Sequence, residues 1–406
     1  MTNLADFNLI LTGTAIAAVV ATAGVAAFGM RPRRRPSGPS TAKVHAIMPG
    51  DFEALPIENN DPDYRECVAI SQHVANMMIA DEWLEIAHEM SGWESNLTST
   101  PGGTRFHDIA ARTCLSGLQG LIDDAPRNSL DDLADAEIEV SHFVDTHRQT
   151  PSNHILALLA ARAHIAIGEA YSSDDWPKDM RRAAWRQSAQ HFMAAEEILR
   201  PFDAIAHMSP LLAEAYYLQA LGAPGGESLL PTLFQDWIDL DPSNSSIYDA
   251  HVAAMVACDL LTGDDVLREA EEALKRTEKT LGFGGYALFF TPLLVEYDSA
   301  RDLLDPELYA AALMDLASRS ATQAEVNNSA AALLTQIEAA DEETAAAYRD
   351  TLVMMICRHL KVIYPRLWPI SVEEIQEFAA EASFLAPHLD AMDESDFLNV
   401  RSRIAA

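Results

Sequence analysis

Cationic side chains are scarce in this chain, and the scarcity sets its first limits. The 406 residues hold 28 Lys and Arg against 61 Asp and Glu, a formal net charge of -33. Five of the basic groups, Arg31, Arg33, Arg34, Arg35 and Lys43, fall in residues 1–43, with Asp6 the sole acid there. That leaves 23 basic against 60 acidic groups, a balance of -37, for residues 44–406. A body so acidic repels phosphate backbones, which argues against nucleic acid as a partner. Solubility is its plain consequence, and attraction of basic partners is a sharper one.

Chemical signatures are missing as well. Cys67, Cys114, Cys258 and Cys357 lie far apart and form no CxxC spacing, which argues against a zinc site and against a disulfide framework. In apolar helical contexts such thiols behave as small core residues. The chain has no HExxH and no GxSxG. GFGG at 282–285 lacks the Lys-Ser/Thr and the preceding strand of a phosphate loop, and reads as a helix terminator. Two Glu-x-x-His pairs, Glu85/His88 and Glu139/His142, put a carboxylate and an imidazole on one helix face, as carboxylate-bridged di-iron proteins require. Without further glutamates from two more helices they read as solvated faces. No catalytic residue, metal ligand or cofactor is assigned, and the chain is expected not to be an enzyme. The alternative is an enzyme whose site is assembled from residues distant in sequence.

Charge is also absent from Phe7 to Met30, twenty-four residues without an ionisable side chain. As a helix rising about 1.5 Å per residue they span roughly 36 Å, enough to cross a hydrocarbon core of about 30 Å. A cleaved signal peptide would place its basic residues ahead of the apolar run. Here they follow it, in RPRRRP at 31–36. The sequence therefore predicts one transmembrane helix at 7–30 after a short N-terminus at 1–6. Arg31, Arg33, Arg34 and Arg35 sit at the membrane interface and the body is cytoplasmic, by the positive-inside rule. The expected location is the inner (plasma) membrane, single-pass. A stripe of small residues, Gly13, Ala17 and Ala21, would let two such helices pair, giving self-association through the span.

Residues 31–62 carry Pro32, Pro36, Pro39, Pro49, Pro56 and Pro62 and read as an extended, mobile linker. From 63 to 406 the sequence predicts an acidic all-helical domain, since aromatics are few (7%) and alanine recurs. Helices of 12 to 22 residues joined by short loops imply antiparallel neighbours. Ser129 is a candidate N-cap followed by acidic residues that suit the helix dipole. Two segments align at an offset of 91 residues, FVDTHRQTPSN at 143–153 and FQDWIDLDPSN at 234–244.

The stretch WIDLDPSNSSIY resembles the junction between tetratricopeptide repeats, where one repeat ends at an Asp-Pro turn before the next begins. Phe234, Pro242 and Tyr248 fall at its aromatic, proline and aromatic positions. Phe143, Pro151 and Gly168 match at the earlier junction. The likeness covers residues 130–270, without a regular period, and the helix after Tyr248 reads one turn too long because Gly263 comes late. The resemblance implies an α-solenoid of antiparallel helix pairs and a protein-binding role. Tyr216, Tyr217, Tyr248 and His251 are then the candidate lining of a partner groove, since tyrosine suits interfaces. The expected function is a membrane-anchored scaffold for protein partners.

Overall fold

Several helices in this chain begin where a side chain can take up the amides that a helix start leaves unpaired. Both Pro-Ser-Asn turns of the 91-residue alignment do this. Asn153 Oδ1 accepts from the amides of Ile155 and Leu156, and Asn244 Oδ1 from that of Ser246. Ser129 does cap its segment, with Asp132 reaching back to the Ser129 amide, and Ser209, Thr262, Asp305, Thr322 and Asp341 cap later helices.

A computed structural model describes residues 54–389 apart from 61, 62 and 321. The span expected at 7–30, the arginines at 31–35 and most of the linker lie outside the described residues. Within them the fold is all-α. In chain order the helices are α1 (Tyr64–Ile79), α2 (Trp83–Asn96), α3 (Phe106–Asp124), α4 (Ala134–Gln149), α5 (His154–Ser172) and α6 (Arg181–Leu199). There follow the single turn α7 (Ala204–His207), α8 (Pro210–Gly222), α9 (Leu230–Leu240), α10 (Ser245–Ala257), α11 (Gly263–Leu281) and α12 (Gly284–Glu296). The last four are α13 (Pro306–Arg319), α14 (Gln323–Ile337), α15 (Glu342–Arg358) and α16 (Val372–Leu389).

Packing is local and repeat-like. Most consecutive helices pack together, α5 with α6 most extensively. Contacts also skip one helix, α1 to α3, α3 to α5 and α10 to α12 among the helices that open each pair, and α5 reaches α8 past α6 and the single turn α7. The helices that close the pairs do the same, α9 to α11, α11 to α13 and α13 to α15. Two hydrophobic cores result, and α8 belongs to both. Leu211, Leu212, Ala215 and Leu218 face the N-terminal core, while Ala213, Tyr217 and Ala220 face the C-terminal one. A helix buried on two sides is apolar over most of its circumference, as α8 is but for Glu214 and Gln219. The same holds for α5, the one helix among the described residues long and apolar enough to cross a membrane; 72% of its apolar window is buried inside the fold.

Long-range bonds tie the first helices of this array to its middle. Arg105, in the loop before α3, donates from Nε to Asp241 Oδ2 (2.7 Å) and from its terminal nitrogens to Asp241 Oδ1 (2.5 Å), Ser243 Oγ (2.8 Å) and the Leu97 carbonyl (3.1 Å). The aspartate of the Asp-Pro turn is thus one half of a buried ion pair. Glu94, at the end of α2, is 3% exposed and accepts from Ser209 Oγ and the Leu211 amide at the positive start of α8.

Two expectations change and a third is extended. Residues 54–60, the end of the predicted mobile linker, are pinned. Leu55 exchanges two hydrogen bonds with the Gln376 side chain, and Pro56 and Glu58 bond the backbone of Ile363 on either side of a single β-bridge. Proline leaves this stretch extended, but Gln376 and Ile363 supply the missing partners. The helix after Tyr248 is not too long: α10 stops at Ala257 and Asp259 turns left-handed (φ 54°), so the surplus residues form a loop. GFGG ends α11 at Gly282 (φ 62°), as expected, and does more besides. A Cβ on Gly285 would lie 2.7 Å from the Ala273 carbonyl oxygen, so this glycine sets how closely α11 and α12 approach.

Candidate interaction surface

Three of the four residues expected to line a groove are enclosed in the fold instead. Tyr217, Tyr248 and His251 are wholly buried between helices. Tyr217 Oη lies 2.8 Å from His251 Nδ1, and the imidazole stacks on Phe234 (3.9 Å between centroids, 5° between planes). Tyr248 donates to the Pro242 carbonyl and meets Phe234 edge-on, so the residues that carry the tetratricopeptide resemblance pack on one another. Tyr216 is half-buried, its Oη 2.7 and 2.6 Å from the carbonyls of Leu199 and Phe202, to which it can donate in turn. The correction has a simple cause. Aromatic rings on a helix enclosed by two layers fill the space between them, and their polar tips find local acceptors. Burial also drives the His251 imidazole down to about 3 and the Glu269 carboxyl up. Their facing atoms, Nε2 and Oε2, sit 3.9 Å apart without hydrogen bonds.

A different set of residues converges on the helices that open the pairs. On α3, Asp108, Arg112 and Leu115 are half-buried; on α5, Arg162, Ala166 and Glu169; on α8, Glu214 and Leu221; on α10, Asp249 and Ala253. Their spacing of three, four or seven marks one stripe per helix. Bonds between them join the stripes. Arg162 and Glu214 form an ion pair with side chains 10% and 13% exposed. Asn244 Nδ2 reaches Asp108 Oδ2 at 3.4 Å, and Arg112 donates to the Asp108 carbonyl. Beneath them His107 is fully buried, Nε2 3.4 Å from Asp108 Oδ1, and neither ring nitrogen makes a hydrogen bond. Burial raises the Glu214 carboxyl against the pull of Arg162. It raises that of Asp249 to about 6. The result is a ridge in which the Arg162–Glu214 ion pair joins the stripes of α5 and α8, and small or aliphatic side chains, Leu115, Ala166, Leu221 and Ala253, alternate with the charged ones.

One further titratable chain links α4, α5 and α6. His191 Nε2 is 3.0 Å from Glu137 Oε1, which also accepts from Tyr171 Oη, and His191 Nδ1 is 2.9 Å from His164 Nδ1. Burial works to raise Glu137, but the bonds from His191 and Tyr171 outweigh it and hold the carboxyl low. His164 is pushed down to about 4 by burial and by His191. The Glu-x-x-His pairs are not joined into a site: Glu85, His88 and His142 are exposed, and His142 rests edge-on to Trp83. Among the described residues no three His, Cys, Asp or Glu side chains converge as metal ligands would. No family model, curated protein or solved structure matches this chain.

Proposed function

We propose that this chain is a membrane-anchored scaffold, a divergent tetratricopeptide-like α-solenoid that holds protein partners at the cytoplasmic face. The observation that carries the reading is the ridge on the pair-opening helices. Successive helices offer one half-buried stripe each, alternating charge with aliphatic surface, which suits an extended segment laid across them. The opening helices of the later pairs begin at Pro210, Ser245, Gly284 and Gln323, that is 35, 39 and 39 residues apart, against about 34 in tetratricopeptide repeats. The apolar run at 7–30 and the arginines behind it support the anchor and its orientation.

The test is photo-crosslinking from the full chain in its own membrane. Crosslinkers at Glu169 and Asp249 are expected to trap adducts of defined mass, and one at Lys275, exposed on α11, is not. Equal, diffuse labelling from all three positions sinks the reading. The anchor has its own test. The chain should resist high-salt and alkaline extraction, and a C-terminal reporter active only outside the cytoplasm should stay silent.

An enzyme assembled from distant residues is the second reading, supported by the raised Glu214 carboxyl beside Asp108 and His107. It predicts that Glu214→Gln abolishes a turnover the unmodified chain performs.

A further inference from the structure

The outward face of α6 carries the largest exposed aromatic of the described residues. Trp185 is 65% exposed and Met193 68%, with half-buried Ala189 midway between them. Residues four apart share a helix face, so the three form one apolar stripe. Its flanks are charged in an ordered way. Asp179 lies just ahead of the helix, Arg182 and Arg186 occupy its first half, Glu196 and Glu197 its last turns, and Arg200 follows; all six are exposed. Arg182, Arg186, Glu196, Glu197, Arg200 and Asp179 enter no ion pair among the described residues, although α6 offers both signs.

The order of those charges reverses sign about the middle of the helix. An antiparallel copy of α6, centred between Ala189 and Gln190, would put Arg182 opposite Glu197 and Asp179 opposite Arg200. Trp185 would then face Ala194, and Met193 the aliphatic stem of Arg186. Every pair occurs twice, as a two-fold interface requires. A parallel pairing would instead set like charges side by side. Tryptophan, methionine and arginine are also the residue types enriched at protein interfaces, and the small Ala189 at the centre lets two helices approach. An anionic bilayer fits this face less well, because Glu196 and Glu197 share it.

We infer that the α6 face, Trp185–Ala189–Met193 with its flanking charges, is a self-association site for a second copy of this chain. The contact is weak by design of its size. Nineteen residues give a face roughly 28 Å long and about 10 Å wide, on the order of 300 Å², short of the ~800 Å² per partner that stable interfaces bury. Two bodies of -37 also repel each other. Pairing therefore depends on concentration, and confinement to a membrane would raise it. The inference needs no partner on the ridge of the pair-opening helices, and failure of that reading leaves it standing.

Charge reversal in the full chain tests it, with association followed by sedimentation in detergent. Arg182→Glu with Arg186→Glu leaves Arg200 the one cation among the six flanking charges; Glu196→Arg with Glu197→Arg leaves Asp179 the one anion. Each variant alone should associate at least tenfold more weakly than the unmodified chain, with its helical signal intact. An equimolar mixture should recover pairing, because the two altered faces complement each other. Ala189→Cys should form a disulfide dimer in membranes, where a cysteine at Lys275 does not. Association unchanged by either reversal would place the contact elsewhere, in the spanning segment for example, and overturn the assignment. A chain that stays monomeric throughout, or a mixture that fails to pair, overturns it equally.

Discussion

At the scale of single residues, His251 shows how the interior decides protonation. Tyr217 bonds one ring nitrogen, Phe234 covers the face, and no solvent reaches the ring. Folded, the imidazole stays neutral down to about 3, whereas in the unfolded chain it takes a proton below its ordinary value of about 6.5. The unfolded state therefore binds more protons between those limits, and His164, held at about 4, adds to the same difference. The stability that these two histidines contribute should be full above pH 6.5 and fall as pH drops toward 3, by at most ~1.4 kcal/mol per pH unit for each. The raised carboxyls of Asp249, Glu214 and Glu269, which take up protons first in the folded chain, make an opposite contribution. Urea unfolding at a series of pH values measures this. His251→Phe should flatten the acid limb while costing about 1–3 kcal/mol at neutral pH, because the Tyr217 hydroxyl loses its partner. Adding Tyr217→Phe should return part of that loss. The quartet that includes His251 was legible in the sequence as polar aromatic residues on one pair of helices. Which way those helices turn was not, since helix periodicity gives a face without saying what lies opposite.

At the scale of elements, nearly every helix could be read from period and punctuation, and the capping roles of Ser129, Asn153 and Asn244 explain why. These residues act on amides two or three positions away, within the reach of a local reading. Arg105 and Asp241 are 136 positions apart, and no local pattern joins them. The only trace was an arginine in a short Thr-Gly loop and an aspartate in a turn. Arg162 left a similar trace, a single cation inside the apolar run HILALLAARAHIAIG, which calls for a buried partner such as Glu214. Removing one member of the Arg105–Asp241 pair strands the other's charge. Arg105→Ala should cost roughly 3–5 kcal/mol in denaturant unfolding. The double variant Arg105→Met, Asp241→Leu should cost clearly less, since both charges leave together. Equal losses in the two would show that the cost lies in the lost bonds and packing of Arg105 and not in a stranded charge.

At the scale of the whole molecule, two cores meet in α8 and one short extended segment spans from the start of the described chain to α16. Gln376 contributes both of its amide atoms to Leu55. Gln376→Ala should lower stability by only about 1–2 kcal/mol. Its larger effect should appear in hydrogen exchange, as faster loss of protection at Glu58 and Ile363 while α5 and α8 stay protected. Uniform acceleration across all helices would show instead that the strap is part of the global core. The strap also fixes how the body takes a load. A pull on the chain at residue 54 reaches the bonds to Gln376 and Ile363 before it reaches α1. Tension from the N-terminal side is thus delivered first to the far end of the array, and α14 to α16 would bear it while the first helices stay slack.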